Sequence, residues 1–97
     1  MAPRKTRVEA LRGLRALIQE NKTALYRVLH ADLGKHPVES AVTEIERIIW
    51  EIDHALLHLA DWVEPEPVRV PLKLQPASAK VVPQPKGAVL VISPWNY

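Results

Sequence analysis

Cysteine is absent from this chain. That removes disulfides, thiolate metal sites and any cysteine nucleophile from these residues, and it is compatible with a reducing compartment without establishing one. Long apolar runs are missing too: the longest, residues 88–92, is far too short to cross a bilayer, so no membrane segment is expected. No signal peptide is visible, which makes a soluble, cytoplasmic protein the default expectation. Charge of one sign is also lacking. The 13 basic and 11 acidic residues leave a formal +2, which suggests no particular partner. At 97 residues, one small domain is the most the chain can build.

What is present begins with a cluster of basic residues, Arg4, Lys5, Arg7, Arg12 and Arg15. Glu9 interrupts it, and the same helical pattern runs on past it. A solvated helix face is therefore expected, rather than a nucleic-acid arm or a transit peptide. Over residues 4–32, Leu11, Leu14, Ile18, Leu25 and Val28 follow helical spacing, Asn21 fills the vacant place, and Leu17 and Leu29 widen the stripe. Gly34 suits the left-handed position just past a helix end. Gly13, inside the pattern, costs about 1 kcal/mol against alanine and is expected to mark close packing.

Pro37 stands where a second helix would begin, with Glu39 in its first turn at the positive end of the helix dipole. Val42, Ile45, Ile49, Ile52, Leu56, Leu59 and Val63 then form a seam with alternating steps of 3 and 4 that faces one partner. Ile48, Ala55 and Trp62 lie beside it. Pro65 and Pro67 stop the helix. A short link between the helices predicts an antiparallel hairpin over residues 4–63. The same seam would serve an intermolecular coiled coil.

Residues 64–86 change character. Pro65, Pro67, Pro71, Pro76, Pro83 and Pro85 punctuate two apolar pieces, residues 68–74 and 80–82. Proline cannot donate to a sheet ladder, so a weak β-hairpin or irregular edge strands are expected, lying on another subunit. Residues 87–92 are apolar on both faces, as in a central strand of a parallel sheet covered on both sides. Leaving them exposed would forgo on the order of 5–10 kcal/mol, comparable with the whole stability of a small domain. No other segment is suited to pair with them. The residues therefore read as the N-terminal part of a larger α/β protein.

Ser93 precedes a proline, so the strand ends there and the chain turns. Ligands of open parallel sheets bind beyond the carboxyl ends of the strands, where Trp95 and Asn96 would stand. Asn96 carries two amide N–H donors and no titratable proton, which suits an oxygen that develops negative charge. A turn asparagine is the ordinary alternative.

The stretch "PQPKGAVLVISPWNY" resembles the segment of aldehyde dehydrogenases that leads into the first strand of their NAD(P)-binding domain. Upstream, "ADLGKHPVESAVTEIERIIWEIDHALLHLADWV" is similar to the paired N-terminal helices of the class 3 and fatty aldehyde dehydrogenase branch, including Asp32-Leu33-Gly34-Lys35 and Thr43-Glu44-Ile45. The resemblance runs from about Val8 to Tyr97. It implies an α/β fold in three parts: a helical hairpin, a proline-rich oligomerisation β segment, and residues 87–97 as first strand and oxyanion turn of a Rossmann-like sheet. It implies oxidation of an aldehyde substrate, hydrophobic in this branch, by a homodimer using NAD or NADP. Asn96 would be an oxyanion donor, and the backbone of Ile92, Ser93, Pro94 and Trp95 would line the nicotinamide end of the cofactor cleft. The nucleophilic cysteine and general-base glutamate of the family lie beyond Tyr97, so no aldehyde oxidation is expected of these residues alone. The competing class is a non-enzymatic interaction or oligomerisation module built on the helical hairpin.

His54 and His58 sit one helical turn apart, with Glu51 and Asp61 on either side. There is no HExxH pattern and both fall off the seam, so the spacing reads as solvated surface and no metal site is assigned. Trp50 and Trp62 are expected to pack against other elements. Arg47 and Glu51 are placed for an i,i+4 pair. His30 and His36 carry no separate signal.

Overall fold

The computed structural model describes residues 3–94. Two helical arms lie side by side: α1 (Arg4–Glu20) and α2 (Lys22–Leu33) form the first, α3 (Pro37–Ser40) and α4 (Glu46–Trp62) the second. A β-arm follows, with β1 (Glu66–Val68) antiparallel to β2 (Ala79–Val81). Within the span expected as a helical hairpin, residues 4–63, α1 packs against α4.

Its first arm is not one helix. At Asn21 the backbone leaves helical geometry (φ −100°, ψ 8°), and the Asn21 side-chain amide donates to the Leu17 carbonyl at 2.8 Å. That carbonyl also accepts the Asn21 backbone N–H at 3.1 Å. A side chain competing for a main-chain acceptor loosens the helix at that point. The arm ends as expected: Gly34 is left-handed (φ 64°), and its N–H caps the His30 carbonyl at 2.8 Å.

The expected stripe also divides between two faces. Leu11, Arg15, Ile18, Lys22, Tyr26 and Leu29 are half-buried, whereas Leu14, Leu17, Leu25 and Val28 are exposed. The reason lies opposite them, because α4 offers carboxylates to Arg15 and Lys22 and so rotates the arm about its axis. Gly13 corrects another expectation. A Cβ built there meets nothing within 4 Å, so the glycine marks no close packing.

The second arm starts where Pro37 predicts. A π-helical turn, Ala41–Ile45, joins α3 to α4, with the Glu46 N–H reaching back to the Ala41 carbonyl. The Thr43 hydroxyl donates to the Glu39 carbonyl at 2.8 Å beside it. One extra residue in the turn shifts everything before it out of the later register. The seam is accordingly kept from Ile45 onward but not at Val42, which is exposed. The buried hydrophobic core consists of Ile45, Ile49 and Ile52, at 3–5% exposure.

In the β-arm the paired residues are Glu66↔Val81, Pro67↔Lys80 and Val68↔Ala79. Most of the apolar piece 68–74 is therefore not strand: residues Leu72–Leu74 form a 3-10 turn in the connecting loop. Residues 87–92, expected as one strand of a larger sheet, have no described neighbour of that kind. Among the described residues they pair with nothing, and Val89 to Ile92 are 74–84% exposed. A strand needs a neighbour for its N–H and C=O groups, and the described residues bring none to it.

The consequence is a surface too large for the mass. The chain exposes 8336 Å², where a compact protein of this size exposes about 5,600 Å². Its radius of gyration is 19.7 Å, against about 13 Å for a compact domain.

Candidate functional site

The residues singled out from sequence lie at the end of the chain. Gly87 takes a left-handed conformation (φ 90°), and beyond it the chain belongs to no helix or strand through Ile92, Ser93 and Pro94, all exposed. Neither described cavity is lined by these three residues. Trp95 and Asn96 fall outside the described residues. No titratable side chain of the helical arms makes a hydrogen bond or ion pair with residues 92–94 among the described contacts.

Polar chemistry gathers instead in the elbow between the arms. Lys35 is 7% exposed, and its ammonium is held by Glu44. Burying a lysine is tolerable only with such a partner. The His30 ring nitrogen Nδ1 lies 3.2 Å from the Lys35 carbonyl oxygen. His36 supplies the N-cap of α3: its Nδ1 accepts the Val38 N–H at 3.2 Å. Sequence reading gave neither histidine a role. The position of His36 immediately before Pro37 was the available signal, because proline at the first helical position leaves its predecessor as cap. Ser40, fully buried, has a hydroxyl with no hydrogen-bond partner among the described residues.

Along the arms, charge sets the pairing. Arg15 meets Asp53, and Lys22 meets Glu46. Hydrogen bonding from Arg15, with its charge adding to this, holds the Asp53 carboxyl below its ordinary range. The reciprocal bond raises Arg15, and the bond to Glu46 raises Lys22. On the outer face Arg47 and Glu51 form the expected pair at 2.8 Å. The His54 and His58 rings lie tilted against each other with centroids 4.4 Å apart, and Asp61 Oδ2 lies 3.9 Å from His58 Nδ1. Trp62 continues the ladder, its ring centroid 6.1 Å from that of His58. Trp50 and Trp62 are both exposed. No described helix is long and apolar enough to cross a membrane.

The described residues thus present two arms, an ion-paired elbow and an exposed apolar segment. Comparison with known proteins identifies the frame they fit. The sequence profile described as the aldehyde dehydrogenase family matches residues 1–97. The chain is 40% identical over 91 residues to aldehyde dehydrogenase family 3 comG of Dictyostelium discoideum, covering 94% of this chain and 19% of that protein. It is 41% identical over 95 residues to aldehyde dehydrogenase family 3 member B2 of Mus musculus, covering 98% and 20%. Against the dimeric NADP-preferring aldehyde dehydrogenase of Rattus norvegicus it is 35% identical over 91 residues, covering 94% and 20%. The chain thus spans about a fifth of the length of these curated relatives. Resemblance, family profile and relatives agree over nearly every residue: the chain belongs to the aldehyde dehydrogenase family.

Proposed function

We propose that these residues are the N-terminal part of an NAD(P)-dependent enzyme that oxidises hydrophobic aldehydes to carboxylates. The observation that carries this reading is the match to the family over the whole chain. The exposed apolar segment Val89 to Ile92 supports it, since such a run has the composition of a central strand whose neighbours come from elsewhere. The same match disfavours a free-standing interaction module.

In this reading the hairpin of residues 4–63 packs against the remainder of the enzyme. Residues 64–86 reach to a second subunit, in keeping with the relative named as dimeric. Residues 87–97 open the cofactor domain, with Ile92 to Trp95 along the nicotinamide end of the cleft. NAD or NADP, held mainly by residues outside this chain, would accept the hydride. Asn96 would donate its amide N–H to the oxygen that becomes negative when a thiolate attacks the carbonyl, stabilising charge without exchanging a proton. With no cysteine here, the thiolate must also come from outside these residues.

A chimera tests this. The chain replaces the matching N-terminal segment of the rat NADP-preferring relative, and aldehyde-dependent reduction of NADP is measured. Activity is expected, and Asn96→Ala in the chimera should lower kcat by about 10²–10³. A folded, soluble chimera without activity would overturn the enzymatic reading. An active chimera indifferent to Asn96→Ala would overturn only the oxyanion role.

A further inference from the structure

We infer that His54 and His58 form a two-nitrogen binding site for a divalent transition metal, best suited to copper(II), on the outer face of α4. Neither residue belongs to the core, the ion pairs between the arms or the proposed cofactor edge. The two rings project from one helical face a turn apart, with centroids 4.4 Å apart and planes tilted by 48°. Two nitrogens bound to one ion at about 2.0–2.1 Å each lie roughly 3 Å apart. Rings already this close reach that separation by side-chain rotation, without any change in the helix.

The surroundings favour a cation. Asp61 places a carboxylate oxygen 3.9 Å from His58 Nδ1. That distance is too long for a hydrogen bond, so Asp61 contributes negative charge beside the ring rather than holding its orientation. The nearby Arg47 is neutralised by Glu51 at 2.8 Å. Chemistry then selects the metal. Among the described residues no third His, Cys, Asp or Glu completes a ready-made set, and structural zinc wants four protein ligands. Two imidazoles with water in the remaining positions suit copper(II), which also heads the affinity order of the divalent first-row ions. Sequence spacing alone read as solvated surface. The contact between the two rings is what changes that reading.

Trp62 supplies a reporter, because its ring lies within 6.1 Å of the His58 ring and at 23° to it. Copper(II) chloride titrated into the 97-residue chain should quench tryptophan fluorescence saturably, with one ion per chain by calorimetry. His54→Ala and His58→Ala should each abolish saturable binding, whereas Asp61→Asn, which removes only that nearby charge, weakens it without abolishing it. Trp62→Phe should remove most of the quenching while calorimetric binding persists. Zinc chloride should bind more weakly than copper. Each variant is first compared with the parent by circular dichroism, and these exposed substitutions should leave the helical signal unchanged. Copper binding that survives His54→Ala/His58→Ala would overturn the site, as would its loss in His30→Ala/His36→Ala with α4 still helical. Tighter binding of zinc than of copper would equally exclude a two-nitrogen site.

Discussion

The Arg15 guanidinium grips the Asp53 carboxylate through two parallel hydrogen bonds, Nε to Oδ1 at 2.6 Å and Nη2 to Oδ2 at 2.9 Å. Its remaining terminal nitrogen donates to Gln19 at 2.8 Å, which holds the fork in plane from its own helix. Seven residues further along α1–α2, Lys22 engages Glu46, seven residues back along α4. Both pairs are in place in a single antiparallel register, and a slip of one turn breaks both. Apolar packing between the arms is thin, so these pairs specify how the arms align.

The Asp53 carboxyl is held low in the folded chain by hydrogen bonding from Arg15. A depressed folded value means that stabilisation is complete above the unfolded value, about 3.9, and is lost as pH falls through the folded one. Asp53→Asn should therefore lower the urea midpoint of the helical signal at pH 7. The gap between parent and variant should close in acid below about pH 4. Salt at 1 M should narrow it at pH 7, because the pair is partly exposed and screened. A gap that persists unchanged at pH 2 would show that Asp53 acts by something other than its charge.

Gly13 lies in the exposed middle of α1 with open space where a Cβ would stand. Replacing it with alanine removes backbone entropy from the unfolded chain and adds no clash. Gly13→Ala should stabilise the hairpin by about 0.5–1 kcal/mol. Thermal unfolding followed at 222 nm measures it, and a loss of stability would mean that the position is crowded after all.

The core is small enough for one side chain to decide it. Ile49 is buried between Ile45 and Ile52, and Ile49→Ala should cost about 2–5 kcal/mol, from lost transfer energy and the cavity left behind. Leu57 is equally apolar but exposed, and Leu57→Ala should change stability by no more than about 0.5 kcal/mol. Urea titration of both variants separates buried from merely hydrophobic.

Those two residues also show what was legible in sequence. The seam of α4 could be read because helical period and burial coincide from Ile45 onward. It failed at Val42 because a π turn adds a residue, and no residue type announces such a turn. The α1–α2 stripe was read as one face although it is two. Hydrophobicity records which side chains avoid water, but the rotation of that arm follows the carboxylates of Glu46 and Asp53. The motif ending in Asn96 carried the family, a matter of residue order, while the described structure ends before it. His36 as a cap needed only the neighbouring proline to be taken at its word.

The His36 cap gives a further prediction. Its Nδ1 accepts the Val38 N–H, one of the donors left without an intrahelical partner at the start of α3. His36→Ala should cost about 1 kcal/mol, and His36→Asn should restore most of it, because asparagine is a strong acceptor at that position. Equal losses in both variants, read by urea titration, would assign the effect to packing of the ring instead.

The last prediction concerns the apolar segment. Val89 and Val91 are spaced two apart, so in an extended chain they share a face, and both stand exposed with no strand beside them. An unpaired apolar strand is a template for aggregation, and charge on one of its faces opposes that. Val89→Lys/Val91→Lys should raise the solubility of the isolated chain, measured by light scattering over a concentration series. The helical signal should stay the same, since the segment contributes nothing to the hairpin. In the chimera with the rat relative the same pair of lysines should have the opposite effect. There the strand is expected to be buried on both faces, and two unpaired ammonium groups cost more than the domain can absorb. Soluble yield and activity should then both collapse. If the chimera tolerates the lysines, residues 87–92 are a surface segment rather than a central strand of the cofactor sheet.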